Sequence, residues 1–226
     1  MNIFEKFRIT KEKFEEKERK VLEHMVRVYT DVIDVEKLLR EENYQKFMED
    51  IMILVFVLAD SMSRFFEIME NAGDKDKKKL KSRERFTKWI DTFVLKEENN
   101  AYKGRKRDIN CNSDIVWKLR CSLVHFYGLP DLSDRNEQTM LLNGPWNNKK
   151  GREMVQFFKK KGINLKIIDI DGLELAILKS LALWQKYLLK TLKEEPEKYI
   201  AGILELLEVT EKECSVKIDM KTVQKI

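Results

Sequence analysis

Apolar side chains recur at helical spacing along most of the chain. The clearest stripe runs from about 43 to 71, with large apolar residues three or four positions apart at Phe47, Ile51, Leu54, Leu58, Met62, Phe65 and Met69. Such spacing places the side chains on one face of an amphipathic helix. Gly73, directly beyond the stripe, predicts where this helix ends, because glycine readily adopts the backbone conformation of a helix stop.

The same spacing predicts helices on both sides of this segment. Two are expected before it, at 11–30 and at about 32–40. Four more are expected after it. Ser82 is expected to cap the first, and the second runs from Ile115 to about Tyr127. Asp171 is expected to cap the third, which extends through Leu192, and the last runs from Pro196 to about Val209. Their inward faces are predicted to carry Phe86, Trp89, Ile90 and Phe93 in one helix, and Leu175, Leu178, Leu181, Trp184 and Leu188 in another. Position 112, 113 or 114 is expected to cap the helix that starts near Ile115.

One part of the chain departs from the helical pattern. Two short apolar segments, 154–158 and 165–170, flank a polar stretch that contains Gly162. Paired apolar runs around a glycine-containing connection predict a β-hairpin. The preceding residues, 131–151, show no regular pattern and are expected to be irregular.

The chain is interpreted as one predominantly α-helical domain with additions at both ends, since 226 residues suffice for a single hydrophobic core. Residues 1–40 are expected to form N-terminal helices that pack on the core. Residues 41–192 are expected to form the main helical domain, with an irregular and hairpin insertion at about 129–170. Residues 193–226 complete the chain as a C-terminal helix and tail.

Charge and cysteine content favour a cytoplasmic protein. Charged residues make up 37% of the chain, and 44 basic against 39 acidic side chains leave a net charge of +5. Near balance at such density is typical of salt-bridged amphipathic helices rather than of disorder. The three cysteines form no CxxC pair, which indicates reduced thiols. The longest apolar run, 51–59, is too short to span a bilayer, so no membrane contact is expected.

Several enzyme classes lack their motifs in this sequence. Only two histidines occur, so one chain has no three-histidine zinc site, and neither EF-hand nor HExxH spacing is present. The chain also lacks the glycine-rich phosphate-binding loops and the Gly-x-Ser-x-Gly motif. We therefore expect neither a metal nor a cofactor.

The segment 114–125 carries the most informative pattern. It reads DIVWKLRCSLVH, so that Arg120 precedes His125 with four residues between them, near the end of a predicted helix. This arrangement resembles the HEPN family, the higher-eukaryote-and-prokaryote nucleotide-binding helical domains, whose mark is the Arg-x4-6-His motif. The RERF sequence at 83–86 is also similar to members of this family. The resemblance covers about residues 40–192.

The resemblance implies a HEPN-like helical bundle, here with a small inserted β-hairpin, that acts as a metal-independent endoribonuclease on single-stranded RNA. His125 would serve as general acid or base when the 2′-hydroxyl attacks the adjacent phosphate, and Arg120 would hold that phosphate. Imidazole titrates near neutral pH, and guanidinium binds phosphate oxygens with a permanent charge. Family analogy further implies a homodimer, and a toxin or defence role restrained by an antitoxin-type protein partner.

A basic cluster upstream of the motif is the candidate RNA-binding surface. Lys103, Arg105, Lys106 and Arg107 lie in a polar stretch between two predicted helices, where they could contact phosphates. A charged loop of this kind is also compatible with simple solvation.

Two alternatives to catalysis stay open at this point. The chain departs from the family pattern at Cys121 after the arginine and at Phe126 after the histidine, which suits a non-catalytic HEPN module that binds nucleotide or RNA. Arg120 and His125 are also about 140° apart on an ideal helix, so they share a site only if the helix unwinds, the arginine curls round, or two copies combine. The second alternative is a structural helical protein of an assembly.

Overall fold

The protein is represented by a computed structural model that describes residues 3–74, 76, 79–96, 111–126, 137–142, 149–162 and 164–214. Within these ranges the chain forms seven α-helices, one π-helical turn and two short strands. In chain order they are α1 (Ile3–Lys6), α2 (Lys11–Asn71), α3 (Ser82–Trp89), the π-helical turn (Ile90–Val94), α4 (Ser113–Phe126), β1 (Glu137–Leu142), α5 (Lys149–Lys160), β2 (Asn164–Asp169), α6 (Ile170–Glu194) and α7 (Pro196–Cys214). The predicted predominantly α-helical class is confirmed.

Helix α2 consists of two halves joined at a sharp break. At Asn43 the backbone leaves the helical region, with φ −168° and ψ 94°. The halves, 11–42 and 44–71, lie side by side, since the rings of His24 and Phe65 are in edge contact with centroids 6.2 Å apart. The first and second halves of α2 therefore form a helical hairpin.

The sequence placed one helix boundary correctly in this hairpin and one wrongly. The predicted start near 43 coincides with the break. The predicted separation between 30 and 32 is wrong, because α2 continues through these positions and the Thr30 hydroxyl donates a hydrogen bond to the Arg27 carbonyl at 3.0 Å. Threonine tolerates a helix interior when its hydroxyl bonds back to the preceding turn, so its low helix propensity did not end the helix.

The helices enclose one hydrophobic core with an aromatic group at its centre. Phe66 meets Phe93 edge-on with ring centroids 5.2 Å apart, and Trp184 stacks on Tyr187 at 5.2 Å. The largest fully buried side chains include Trp89, Phe56, Phe86, Ile51, Met52, Leu58, Met62 and Ile90. The inward face predicted for 86–93 is thus confirmed. These aromatic contacts tie α2, α6 and the π-helical turn together.

The inward face predicted for α6 is confirmed only in part. Trp184 and Leu188 are buried, whereas Leu175, Leu178 and Leu181 are half-buried. The deeper face of α6 consists instead of Leu173, Ala176, Ile177 and Ser180. The half-buried leucines line an open groove, because the first half of α2 does not close over them completely.

Side-chain and glycine signals define the helix ends near the motif. Asn112 caps α4, as its side-chain oxygen accepts a hydrogen bond from the Ile115 amide at 2.9 Å. Helix α3 starts with the Lys81 amide donating to the Glu84 carboxylate at 3.0 Å. Gly73 follows the end of α2 with φ +78°, a conformation that side chains disfavour. The cap of α4 and the stop of α2 agree with the sequence predictions.

The predicted β-hairpin is wrong for the residues that the structure describes. Segment 154–158, expected to be a strand, belongs to helix α5, and β2 pairs in parallel with β1, with Glu137 opposite Asn164. Apolar positions 154, 155, 157 and 158 satisfy one face of a helix as well as a short strand, and periodicity alone does not separate the two. Gly162 has φ +74° just beyond α5, so it ends a helix rather than turning a hairpin.

Helix α7 packs closely along the second half of α2. Gly202 is the point of closest approach, where an added Cβ would overlap the sulfur of Met69 and lie 3.3 Å from the Cβ of Ala72. The hydroxyl of Tyr199 donates a hydrogen bond to Glu18 at 2.7 Å, which ties α7 to the first half of α2 as well. The predicted C-terminal helix is therefore an integral part of the core.

Candidate active site

The motif helix α4 presents one buried row and one exposed row. Val116, Leu119 and Leu123 are all at most 2% exposed and face the core. Asp114 and Lys118 are exposed on the other side of the helix. This burial pattern sets which motif side chains point toward α2 and which point outward.

Arg120 is fixed by Asp60 of α2 and by Trp117 of its own helix. Its Nε donates to Oδ2 of Asp60 at 2.8 Å, and its Nη2 contacts the same oxygen. The guanidinium also lies over the ring of Trp117, 5.1 Å from the centroid, and Trp117 in turn packs on Phe86 at 5.4 Å. The side chains of Arg120 and Asp60 are 15% and 23% exposed. A charge-assisted bond together with a cation–π contact makes this one of the best-defined polar side chains of the motif helix.

A second arginine lies at the start of the motif helix. Arg83, within the RERF sequence, donates to Asp114 at 2.9 Å, and both side chains are more than half exposed. The hydrogen bond from Arg83 to Asp114 and the attraction between their charges raise the pKa of Arg83. The two sequence features that resemble the HEPN family are thus adjacent in space, on α3 and α4.

Helix geometry separates Arg120 from His125. Helix α4 continues through Phe126, so the motif does not unwind before the histidine. For His125 the structure describes only the helical backbone. On an ideal helix this position lies about 140° round the axis and about 7.5 Å along it from Arg120. Cys121, which is half-buried, shares the row of His125. Arg120 is held on the α2 side, and the backbone of α4 places the two motif residues on different faces of the helix.

The basic cluster Lys103, Arg105, Lys106 and Arg107 lies outside the described residues. The same holds for 131–136 and 143–148. Both belong to the stretch 131–151 that was expected to be irregular, an expectation that is wrong for 137–142, which form strand β1, and for 149–151, which begin α5. The placement of these candidate RNA contacts therefore stays a prediction.

Sequence reasoning missed the acidic partner of Arg120. Asp60 directly follows the apolar run 51–59, on a helix whose predicted inward stripe is apolar. A carboxylate at such a position needs a partner, which is the signal that could have singled it out. The sequence does not say which cation supplies the partner, because sixty residues separate Asp60 from Arg120.

A polar cluster between α2, α6 and α7 was also missed. Tyr187 donates a hydrogen bond to Glu70 at 2.5 Å, and Lys88 and Lys198 both lie 3.4 Å from the same carboxylate. Burial works against the charged form of Glu70, but the Tyr187 hydrogen bond and the two lysines leave its pKa lowered. Burial and the bond to Glu70 raise the pKa of Tyr187. All these groups are satisfied, which is typical of a structural network.

A third cluster joins the first half of α2 to α6. Arg40 donates to Glu36 at 2.5 Å and to Glu174 at 2.7 Å. Burial opposes the charge on Arg40, but its hydrogen bonds to the two carboxylates raise its pKa overall. Glu174 is 1% exposed and Glu36 is 6% exposed, so this is the most deeply buried group of carboxylates in the described part of the chain.

Comparisons with known proteins found no match to this chain. No protein-family model, curated protein or solved structure matches it.

Across the described ranges, His, Cys, Asp and Glu side chains form no group of three that could hold a metal ion. None of the described helices combines the length and apolar character that a bilayer-spanning helix requires. The candidate site therefore rests on the motif and its geometry.

Proposed function

We propose that this protein is a HEPN-type, metal-independent endoribonuclease that cleaves single-stranded RNA as a homodimer. The observation that carries this proposal is the orientation of Arg120, which Asp60 and Trp117 hold in place on an unbroken helix that also contains His125. Pre-oriented cationic groups stabilise developing phosphate charge without reorganising during the reaction.

The proposed chemistry needs one phosphate-binding cation and groups that move protons. A base takes the proton of the 2′-hydroxyl, whose oxygen attacks the adjacent phosphorus, and an acid returns a proton to the departing 5′-oxygen. The products are a 2′,3′-cyclic phosphate and a 5′-hydroxyl end. His125 suits proton transfer near neutral pH, and Arg120 suits the phosphate oxygens.

The helix geometry supports a site shared between two chains. Because Arg120 and His125 diverge by about 140° on α4, a second copy that approaches the motif helix could add its own histidine to the arginine of the first. The exposed row with Asp114 and Lys118, together with Arg83 beside it, is available for such an approach.

The test is cleavage of a labelled single-stranded RNA in the presence of a chelator. Wild type is expected to release 2′,3′-cyclic phosphate ends, and His125→Ala to lower the rate about 10²–10⁴-fold, as losses of general acid–base groups do. Arg120→Ala is expected to be similarly inactive. Arg19→Ala is the matched control, since Arg19 is 70% exposed on the first half of α2. An RNA with one 2′-deoxy nucleotide should resist cleavage at that position alone.

Mixing the two inactive variants tests the shared site. If each site combines Arg120 of one chain with His125 of the other, a heterodimer of the two variants regains one complete site. Random mixing is then expected to restore about a quarter of wild-type activity. No recovery in confirmed heterodimers would show that each chain supplies both residues to its own site. A wild type that leaves RNA intact would contradict the ribonuclease proposal itself.

A second candidate function, a structural or binding-only role, has one observation in its favour. Both Nε and Nη2 of Arg120 contact Asp60, and a phosphate would have to share or displace that partner. RNA retention that falls with Arg120→Ala, in a protein that does not cleave RNA, would favour the binding module.

A toxin role is tested by expression in cells. Growth arrest on expression of wild type, relieved by His125→Ala, would favour a toxin restrained by a protein partner.

A further inference from the structure

An open apolar groove runs between the first half of α2 and α6. It encloses about 800 Å³. Its lining is mostly apolar and includes Leu22, Val26, Met62, Ala182, Leu188 and Leu189. Val26 and Leu189 remain 54% and 66% exposed, so water contacts apolar side chains that a ligand could cover. Volume and lining both fall in the range of small-molecule sites.

The groove and the proposed ribonuclease site lie on different faces of the molecule. Met62 contributes to the groove, whereas Asp60 binds Arg120 of the motif helix. Residues two apart on a helix point about 200° apart, so the second half of α2 separates the groove from α4. A function of the groove does not depend on that of the motif.

The two ends of the groove differ in charge. Leu22 and Leu188 lie toward the apolar end, where Tyr199 of α7 also lines the wall. Lys37 on α2 and Lys179 on α6 line opposite walls toward the other end, where Arg40 of α2 donates a hydrogen bond to Glu174 of α6. Neither lysine forms an ion pair with a residue in the described part of the chain.

The buried acidic group at this end does not neutralise the lysines. Two carboxylates, Glu36 and Glu174, share the guanidinium of Arg40, which leaves at most one negative charge in excess. Among the charged side chains that line the groove, Lys37 and Lys179 outnumber the single carboxylate of Glu36, so the lining of this end is cationic on balance. An occupant that matches the whole groove is therefore apolar along its length and anionic at one end.

We propose that the groove binds a free single-chain carboxylate with a long hydrocarbon tail. The tail lies along the apolar walls between α2 and α6, and the carboxylate lies between Lys37 and Lys179. From Leu22 to Lys37 the helix rises about 22 Å, which suits a tail of many methylenes rather than a compact ring system. A single tail matches a groove bounded by two adjacent helices.

The test is calorimetric titration of the intact protein with octanoate, decanoate and dodecanoate below their micellar concentrations. Affinity is expected to rise up to about fourfold per added methylene, the increment for burying one methylene group. Dodecyltrimethylammonium has the same tail with the opposite charge and is expected to bind at least about tenfold more weakly than dodecanoate. Equal binding of both amphiphiles, or none of the carboxylates, would overturn the proposal.

Two variants distinguish the contact of the lysines with the carboxylate from the contact of the apolar walls with the hydrocarbon tail. The double substitution Lys37→Glu with Lys179→Glu is expected to weaken dodecanoate about tenfold and to strengthen the cationic amphiphile. Ala182→Glu, at an exposed position of the lining, is expected to abolish both. Lys186→Glu is the matched control, because Lys186 is exposed on α6 but does not line the groove. A control that weakens binding equally would refute the assigned head site.

The same variants distinguish the proposed carboxylate from other occupants of the groove. If the groove instead contacts a second copy, Ala182→Glu will lower the oligomeric mass measured by light scattering, and wild type will not bind dodecanoate. That outcome overturns the carboxylate proposal and assigns the groove to an interface between copies. RNA cleavage is expected to be unchanged in all three variants, since none lies on the motif face.

Discussion

The buried carboxylate Glu174 makes stability depend on pH in a predictable direction. It is 1% exposed, and burial raises its pKa from 4.5 to about 7 in spite of its hydrogen bond to Arg40. The neighbouring Glu36 carboxyl adds to the rise. The native state therefore binds a proton at Glu174 more tightly than the unfolded chain does. Stability falls as pH rises through the interval from 4.5 to 7 and levels off above it.

The structure also sets the size of this effect. One pKa unit corresponds to about 1.4 kcal/mol, so the rise at Glu174 corresponds to a loss of roughly 3 kcal/mol across the interval. In Glu174→Gln the amide has the shape of the protonated carboxyl and does not titrate. The variant is expected to match wild type at pH 5 to within about 1 kcal/mol and to exceed it at pH 8 by up to about 3 kcal/mol.

Urea denaturation of both proteins at pH 5, 6, 7 and 8 measures the difference. Titrating groups outside the cluster of Arg40, Glu36 and Glu174 act equally in wild type and variant, so the change in their stability difference with pH reports this cluster. Glu23→Gln is the matched control, because Glu23 is 69% exposed and forms a surface ion pair with Arg19. A stability difference between wild type and Glu174→Gln that stays constant from pH 5 to pH 8 would refute the reasoning.

Two further predictions concern packing and the motif ion pair. Gly202→Ala is expected to lower the free energy of unfolding by about 1–3 kcal/mol, because the new Cβ overlaps fully buried Met69; unchanged urea denaturation would contradict this. Asp60→Ala and Arg120→Ala are each expected to cost about 1–3 kcal/mol, because each leaves a part-buried charge without its partner. The double variant should cost less than the sum, and strict additivity in the same assay would contradict the coupling.

Local signals predicted much of the secondary structure. Asn112 caps α4, Gly73 follows α2, and the aromatic face of α3 is buried. Each of these depends on residues within one or two turns of one another, so the sequence contains the relevant contacts. The strand predicted at 154–158 is wrong because the prediction used local signals alone. That short apolar run fits both a strand and a helix, and the longer segment forms a helix.

For the candidate site too, the sequence predicted the local geometry but not the long-range contacts. Sequence spacing alone placed Arg120 and His125 on different faces of one helix, and the unbroken α4 agrees with that geometry. It did not identify Asp60 as the partner of Arg120, nor Glu174 as the partner of Arg40, because 60 and 134 residues separate these pairs. Periodicity determines which side chains share a helix face. Only tertiary packing decides which face of another helix lies opposite, and therefore which charges are paired and which apolar surface stays open as a groove.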